Sequence, residues 1–449
     1  MDIQAIASFQ FLQTQAASLL LYQSVLADEV GQAFLNLLQS LRQLDLMQSL
    51  RHGDVDELGC LRAYGEYFKV LATRNQSWQD YLVTRILTDD NPFSRQVQQT
   101  DLAELSPALI AAVQQDLQAL QLLYQCTSEQ LSGWVQALAG LNVAPVAWSG
   151  KPVRSSNDLP IRTKLQQLEN WADVLEELAA YYRKFGTGIF AEYKALRWQS
   201  GQFVGIPHPD PVKIDQLVGY EYQRDTLLKN TEFLLAGYQA LHVLLYGSRG
   251  SGKSSLVKGL LNEYGDCNLR LVEVAKSDLK DLPAIVEQLR DVPQKFIIFV
   301  DDLSFEEDDD AFKALKVVLE GNLTARSQNV VVYATSNRRH LVREFFGDRP
   351  RPSSSEEVHA WDTVQEKLSF SDRFGLTLTF EGADQNTYLK IVRHLAAQAG
   401  INLSQEDLDY RALQWATRHN GRSGRTARQF VDFLPAQLNQ IGASKIKIF

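Results

Sequence analysis

Gly247-Ser248-Arg249-Gly250-Ser251-Gly252-Lys253-Ser254 is the stretch on which the reading of this 449-residue chain turns. It matches G-x-x-x-x-G-K-[ST] in full and stands between an apolar run, Val243 to Tyr246, and a helix-like one, Ser255 to Glu263. Strand, glycine-rich turn and helix in that order are the context such a phosphate-binding loop requires. The glycines let successive backbone N–H groups curl around phosphate oxygens, and the helix N-terminus adds the positive end of its dipole. The pattern assigns Lys253 to the β and γ phosphates and the Ser254 hydroxyl to Mg²⁺, with Ser255 opening the helix. A glycine-rich β-to-α turn that merely contains a lysine is the plainer alternative, and the flanking runs argue against it.

Moving outward, Phe296-Ile297-Ile298-Phe299-Val300 ends in Asp301-Asp302. A buried strand brings Asp301 to its carboxyl end, where the crevice of an open α/β sheet binds ligands, so this carboxylate is expected in the Mg²⁺ shell. Asp302 is expected to orient or deprotonate the attacking water. Val330-Val331-Val332-Tyr333-Ala334 repeats the theme and ends in Thr335-Ser336-Asn337, which places Asn337 to position a water near the γ-phosphate. Taken alone, either segment reads as a strand that runs into a polar turn.

Composition supports a folded, multi-domain chain. Hydrophobic residues make up 45% and charged residues 22%, near the globular average, which excludes a mostly disordered or collagen-like chain. The formal net charge of −9 does not favour coating of nucleic acid or of an anionic membrane. Cys60, Cys126 and Cys267 are scattered and form no CxxC pair, so neither a disulfide framework nor a structural zinc is expected. No positive n-region precedes Arg42, and Ala16 to Leu26 is too short and too polar to span a bilayer. A cytoplasmic location and no membrane partner follow as expectations.

Apolar residues recur every three or four positions from Ile3 to about Leu196, which predicts a helical domain over 1–204. Breaks are expected at Arg51 to Asp54, at Asp89 to Pro92 and across Gly140 to Asp158. Gly201 to Pro211 packs two glycines and three prolines into a stretch that reads as an extended connector. From 205 to 380, short β-rich runs alternate with amphipathic segments, the grammar of βαβ units on a parallel sheet. Strands then stop, and helical segments around Asn386 to Gly400, Glu406 to His419 and Thr426 to Gln440 predict a small lid over 381–449.

The order of these motifs, with Ser371-Asp372-Arg373-Phe374-Gly375 before the last strand and Gly424-Arg425-Thr426-Ala427-Arg428 in the lid, resembles an AAA+ ATPase. The resemblance runs from about Asp215 onward. The strings LLYGSRGSGKSSLVKGLL, FIIFVDDLSFE, VYATSNRRHLVREFF and EKLSFSDRFGLTLTF further resemble the bacterial ATP-binding family called domain of unknown function 815, and the match is expected to include the helical N-terminal region. The resemblance implies an α/β P-loop fold, ATP and Mg²⁺ as ligands, Asn337 as sensor 1 and Arg373 as an arginine finger acting in trans. It further implies Arg425 as sensor 2, with Arg428 in reserve, and Leu217-Val218-Gly219 as the adenine-pocket segment. Asp301-Asp302 departs from the usual Asp-Glu ending, so slow turnover is expected, or a contribution from Glu306. The plain structural readings are an Arg373 satisfied by Asp372 and a solvated basic face at Arg425 and Arg428.

Three functions compete. The first is a Mg²⁺-dependent ATPase that drives conformational or assembly change on an unidentified protein partner held by the helical domain, with homo-oligomers implied by the finger. The second is a nucleotide-binding scaffold with little hydrolysis. The third is a GTP-dependent switch, disfavoured because Ala275-Lys276-Ser277-Asp278 departs from [NT]KxD and precedes the acidic strand. Arg411, Arg418, Arg422, Arg425 and Arg428, with Arg338, Arg339 and Arg343, leave nucleic acid open as a partner, although no aromatic platform accompanies them.

Overall fold

A computed structural model describes residues 3–50, 57–150, 159–304, 310–320, 327–337, 372–419 and 421–446. The chain forms two compact units, Met1–Glu192 and Tyr193–Phe449. Every regular element described in the first unit is helical. Its longer helices are Ile3–Ala17, Glu29–Leu50, Glu57–Arg74, Trp78–Thr88, Pro107–Gln125, Ser128–Leu138 and Leu175–Phe185.

Local chemistry sets the helix starts. Ser77 accepts from the Asp80 N–H ahead of Trp78–Thr88, and Asn91 and Ser94 form a reciprocal capping box after the break predicted at Asp89 to Pro92. Thr127 and Gln130 form a second box at the head of Ser128–Leu138. The core centres on Trp78, fully buried, which stacks on Phe34 at 4.0 Å and lies 5.6 Å from Tyr81. Its indole N–H donates to the Leu123 carbonyl at 2.8 Å, so the ring is buried without an orphan donor.

The second unit holds a seven-stranded sheet in the order β2-β1-β4-β5-β6-β3-β7. The strands are β1 Ala195–Gln199, β2 Gln202–Gly205, β3 Val243–Gly247, β4 Leu269–Glu273, β5 Lys295–Val300, β6 Val330–Ser336 and β7 Leu376–Phe380. All neighbours are parallel except β1 and β2. β5 and β6 are buried along nearly their whole length, which is why they read as unbroken apolar and β-branched runs rather than alternating ones. Parallel register aligns the carboxyl ends: Tyr246 lies opposite Ser336, and Val300 opposite Ala334. Helices Gln385–Gln398, Gln405–Arg418 and Gly424–Ile446 follow β7 as the expected lid. The second unit is thus an α/β fold, a mostly parallel sheet with a glycine-rich loop between β3 and the helix after it and with helices following β7, and an all-helical unit precedes it in the chain.

The boundary differs from the one expected near residue 205. The units divide between Glu192 and Tyr193, and the stretch read partly as helix and partly as connector forms the β1–β2 hairpin. Ser200 and Gly201 both take positive φ, 52° and 80°, the geometry of a tight two-residue hairpin turn. Leu196 and Trp198 are buried while Arg197 and Gln199 are exposed, and Trp198 meets Phe203 edge-on at 4.9 Å. That period of two is present in the sequence, over a stretch too short to outweigh the prolines that follow it. Among the described residues no helix is long and apolar enough to cross a membrane.

The lid is latched to the sheet side of its unit. Lys390 donates to Glu221 at 2.6 Å, and the Tyr220 hydroxyl donates to the Glu381 carbonyl at 2.7 Å. The Lys390 ammonium, aided by backbone N–H donors, holds the Glu221 carboxyl down from its ordinary 4.5 to about 2. Stability from this contact is therefore complete above pH 4.5 and is lost as pH falls through the range between 4.5 and about 2. Both side chains are about half exposed, so screening limits it to roughly 1 kcal/mol or less. Lys390→Met is expected to flatten that acid limb of the thermal-stability profile while changing stability little at low pH, where the wild-type carboxyl is already protonated. In the first unit, Trp78→Ala is expected to lower unfolding free energy by about 3–5 kcal/mol in a urea titration. A loss under about 1 kcal/mol would show that Trp78 is not central to the core.

Candidate functional site

β3 ends at Gly247, and helix Lys253–Tyr264 starts six residues later, so the loop between them must turn sharply within a few bonds. Gly247 has φ of 134°, and a Cβ there would sit 2.0 Å from the Phe380 carbonyl oxygen, so only glycine fits. Gly250, at φ 74°, is crowded by Ser423 and Arg425 of the lid. The Ser248 N–H donates to the Phe380 carbonyl at 2.8 Å, which ties the loop to the end of β7.

Lys253 is buried in the turn. Its ammonium donates to the carbonyls of Gly247 at 2.9 Å and Ser248 at 2.7 Å, and it lies 3.4 Å from Asn337 Oδ1. Burial pushes the Lys253 ammonium below its ordinary pKa, Arg425 adds to that, and Asp301 and Asp302 oppose it. Of the two carboxylates that follow β5, Asp301 meets the loop motif at Ser254 and Asp302 meets Asn337. Ser254 Oγ donates to Asp301 Oδ1 at 2.6 Å, and the Thr335 hydroxyl donates to the same oxygen at 2.5 Å. Asn337 Nδ2 donates to Asp302 Oδ1 at 2.6 Å.

A cleft of about 1020 Å³ covers this network. Arg249 to Ser255, Asp301, Asp302, Thr335 and Asn337 give it polar lining. Leu217, Val218, Tyr220, Ile391 and Leu395 add apolar side chains, and the lid contributes Arg425 and Arg428. Gly219 adjoins Val218 and passes its N–H to Glu221 at 3.2 Å. The Arg425 N–H donates to the Gly250 carbonyl at 3.1 Å, and Arg428 reaches Gln216 at 3.4 Å. The hard oxygen donors Ser254 and Asp301, side by side, fit a small divalent cation such as Mg²⁺.

The structure thus brings together the loop, Asp301, Asp302, Asn337, Val218 and Arg425. Arg373 is set apart: it does not line the cleft and is ion-paired with Glu320 at the end of helix Asp310–Glu320. Glu306, Arg338, Arg339 and Arg343 lie outside the described residues. Of the lid arginines, Arg411 pairs with Asp407 at 3.0 Å, and Arg425 and Arg428 face the cleft, which leaves Arg418 and Arg422 of the basic cluster. Thr335 was not singled out in the sequence; its signal, a hydroxyl residue closing a β-branched strand next to Ser336-Asn337, was overshadowed by the asparagine.

The chain is similar to a solved structure described as the Thermotoga maritima RuvB Holliday junction branch migration motor, at 16% identity over 52% of this chain and 67% of that one, with a TM-score of 0.36. A point mutant of the same RuvB matches at 15% identity over the same shares, with a TM-score of 0.37. No curated protein sequence matches the chain. A family model described as "Protein of unknown function (DUF815)" matches residues 191–438. The match begins where the second unit begins, so the helical unit expected to fall within it lies outside. Covering more than half of the chain with the sheet, the loop and the lid, that match places this protein in the DUF815 family.

Proposed function

We propose that this protein binds ATP with Mg²⁺ and hydrolyses it to drive conformational or assembly change on a protein partner held by its helical first unit. One observation carries the reading: Lys253, Asn337, Asp302, Thr335, Asp301 and Ser254 form a single chain of hydrogen bonds along a cleft that also has apolar lining. Glycine-loop N–H groups and those of the helix N-terminus donate to the phosphates, and Lys253 supplies the charge at their far end. Ser254 and Asp301 would hold the Mg²⁺, which neutralises charge developing on the phosphates. Asn337 aims the Asp302 carboxylate, which orients the attacking water and takes its proton. Val218 and Gly219, with Leu217 and Tyr220, provide the base pocket, and Arg425 on the lid reports on phosphate occupancy.

The Asp-Asp ending has a backbone explanation. Asp302 takes φ of 52°, a left-handed conformation that aspartate tolerates several-fold better than most side chains. Aspartate at this position therefore suits the turn.

A second reading, the scaffold with little hydrolysis, is favoured by one contact. Arg373 is held by Glu320 of its own chain, so a finger role requires that pair to open when a neighbouring subunit docks. Homo-oligomers and a finger in trans belong to the first reading. The remaining lid arginines give nucleic acid weaker support than the sequence implied.

Steady-state phosphate release from ATP and GTP, measured across protein concentrations, separates these readings. A specific activity that rises with concentration and prefers ATP supports the ATPase; bound nucleotide with no phosphate at any concentration supports the scaffold. Lys253→Ala is expected to abolish nucleotide binding by calorimetry, and retained tight binding would remove the phosphate-loop assignment. Arg373→Ala is expected to keep ATP affinity while lowering hydrolysis about a thousandfold or more, as loss of an arginine finger does. Unchanged hydrolysis in that variant would show that Arg373 only pairs with Glu320.

A further inference from the structure

We propose that Thr335 is the positioning residue that gives the two neighbouring carboxylates their separate tasks, an inference that rests on the ATPase reading above. Thr335 lies at the carboxyl end of β6 and is only 2% exposed. Its single hydroxyl makes two contacts of opposite sense. The O–H donates to Asp301 Oδ1 at 2.5 Å, and the oxygen accepts the Asp302 N–H at 3.0 Å. The main chain repeats the clamp, because the Leu303 N–H donates to the Thr335 carbonyl at 2.7 Å and Ser336 Oγ donates to the Leu303 carbonyl at 2.8 Å. β6 thus grips the turn over Asp301, Asp302 and Leu303 from both side chain and backbone.

The consequence is geometric. Donation from Thr335 fixes the Asp301 carboxylate with Oδ1 turned toward Ser254, the pair assigned to the cation. Acceptance from the Asp302 N–H holds that residue in its left-handed conformation, which turns its carboxylate to the Asn337 amide instead. Without the hydroxyl, the first carboxylate is free to change rotamer and the turn at Asp302 loses the bond that holds its N–H. Thr335 itself need not touch nucleotide or cation; it acts through its two neighbours, as the outer partners of metal ligands do.

Thr335→Val keeps the shape and removes both hydrogen bonds, whereas Thr335→Ser keeps the hydroxyl. The test uses the full-length protein and three readouts: ATP affinity in EDTA, the Mg²⁺ concentration that half-completes the gain in ATP affinity, and kcat. Val at 335 is expected to leave the EDTA affinity unchanged, raise the Mg²⁺ midpoint and lower kcat by about 10–100-fold each. Ser at 335 is expected to restore both to within a few-fold of wild type. A Val variant with unchanged midpoint and kcat overturns the proposal, as does a Ser variant as impaired as Val, which would assign the effect to the methyl group. If the Val variant does not fold, the Ala variant carries the same expectation, and the Ser comparison still decides between hydroxyl and packing. Failure of the wild-type protein to bind ATP at all would overturn the ATPase reading itself, an outcome separate from a silent Thr335.

Discussion

A buried ammonium at the carboxyl edge of the sheet is the constraint that organises the second unit. Lys253 is 6% exposed, and a charge so enclosed is tolerated only where acceptors surround it. The loop carbonyls of Gly247 and Ser248 supply two of them, and Asn337 stands within reach of a third, so β3, the loop and the end of β6 must meet at one point. Asp301 and Asp302 then enter as counter-charges from β5, between β4 and β6 in the sheet. Only parallel strands in register bring three carboxyl ends to that point at once, which ties the chemistry of one side chain to the topology of the whole sheet.

The loop's glycines answer the same constraint from the other direction. Gly247 passes so close to the Phe380 carbonyl that β7 and the loop are effectively one surface, and β7 leads straight into the lid. Arg425 closes the circuit by donating its N–H to the Gly250 carbonyl. The glycine-rich turn is thus tied at Ser248 to the end of β7 and at Gly250 to the lid, and the Lys390–Glu221 pair makes a further contact from the lid to the rest of its unit.

Much of this was legible in the sequence because its signals are local. The five parallel strands β3 to β7 are β-branched or apolar runs whose ends fell within a residue or two of those expected, and the glycine loop carries its own spacing. The helical first unit follows from three- and four-residue periodicity, and Trp78 and Trp171 are buried in its core. What was missed depends on contacts between distant positions. The β1–β2 hairpin was hidden by the prolines that follow it, since its turn is formed by Ser200 and Gly201 in conformations no composition reveals. Arg373 pairing with Glu320 joins segments far apart in the chain, and Lys390 reaching Glu221 spans 169 positions.

Asp302 sits at a backbone position with its own demands, at a φ of 52°. Read as a string, Asp-Asp in place of Asp-Glu shortens the base and implies a slower site. Read as backbone, the same position takes positive φ, a conformation in which aspartate is several-fold enriched over most side chains. The turn is tight because the Leu303 and Asp302 N–H groups are both taken up by Thr335, one by its carbonyl and one by its hydroxyl. Threonine at the end of β6 and aspartate at the second acidic position are therefore coupled choices: the first makes the turn sharp, and the second is a residue that can follow it and still aim a carboxylate at Asn337.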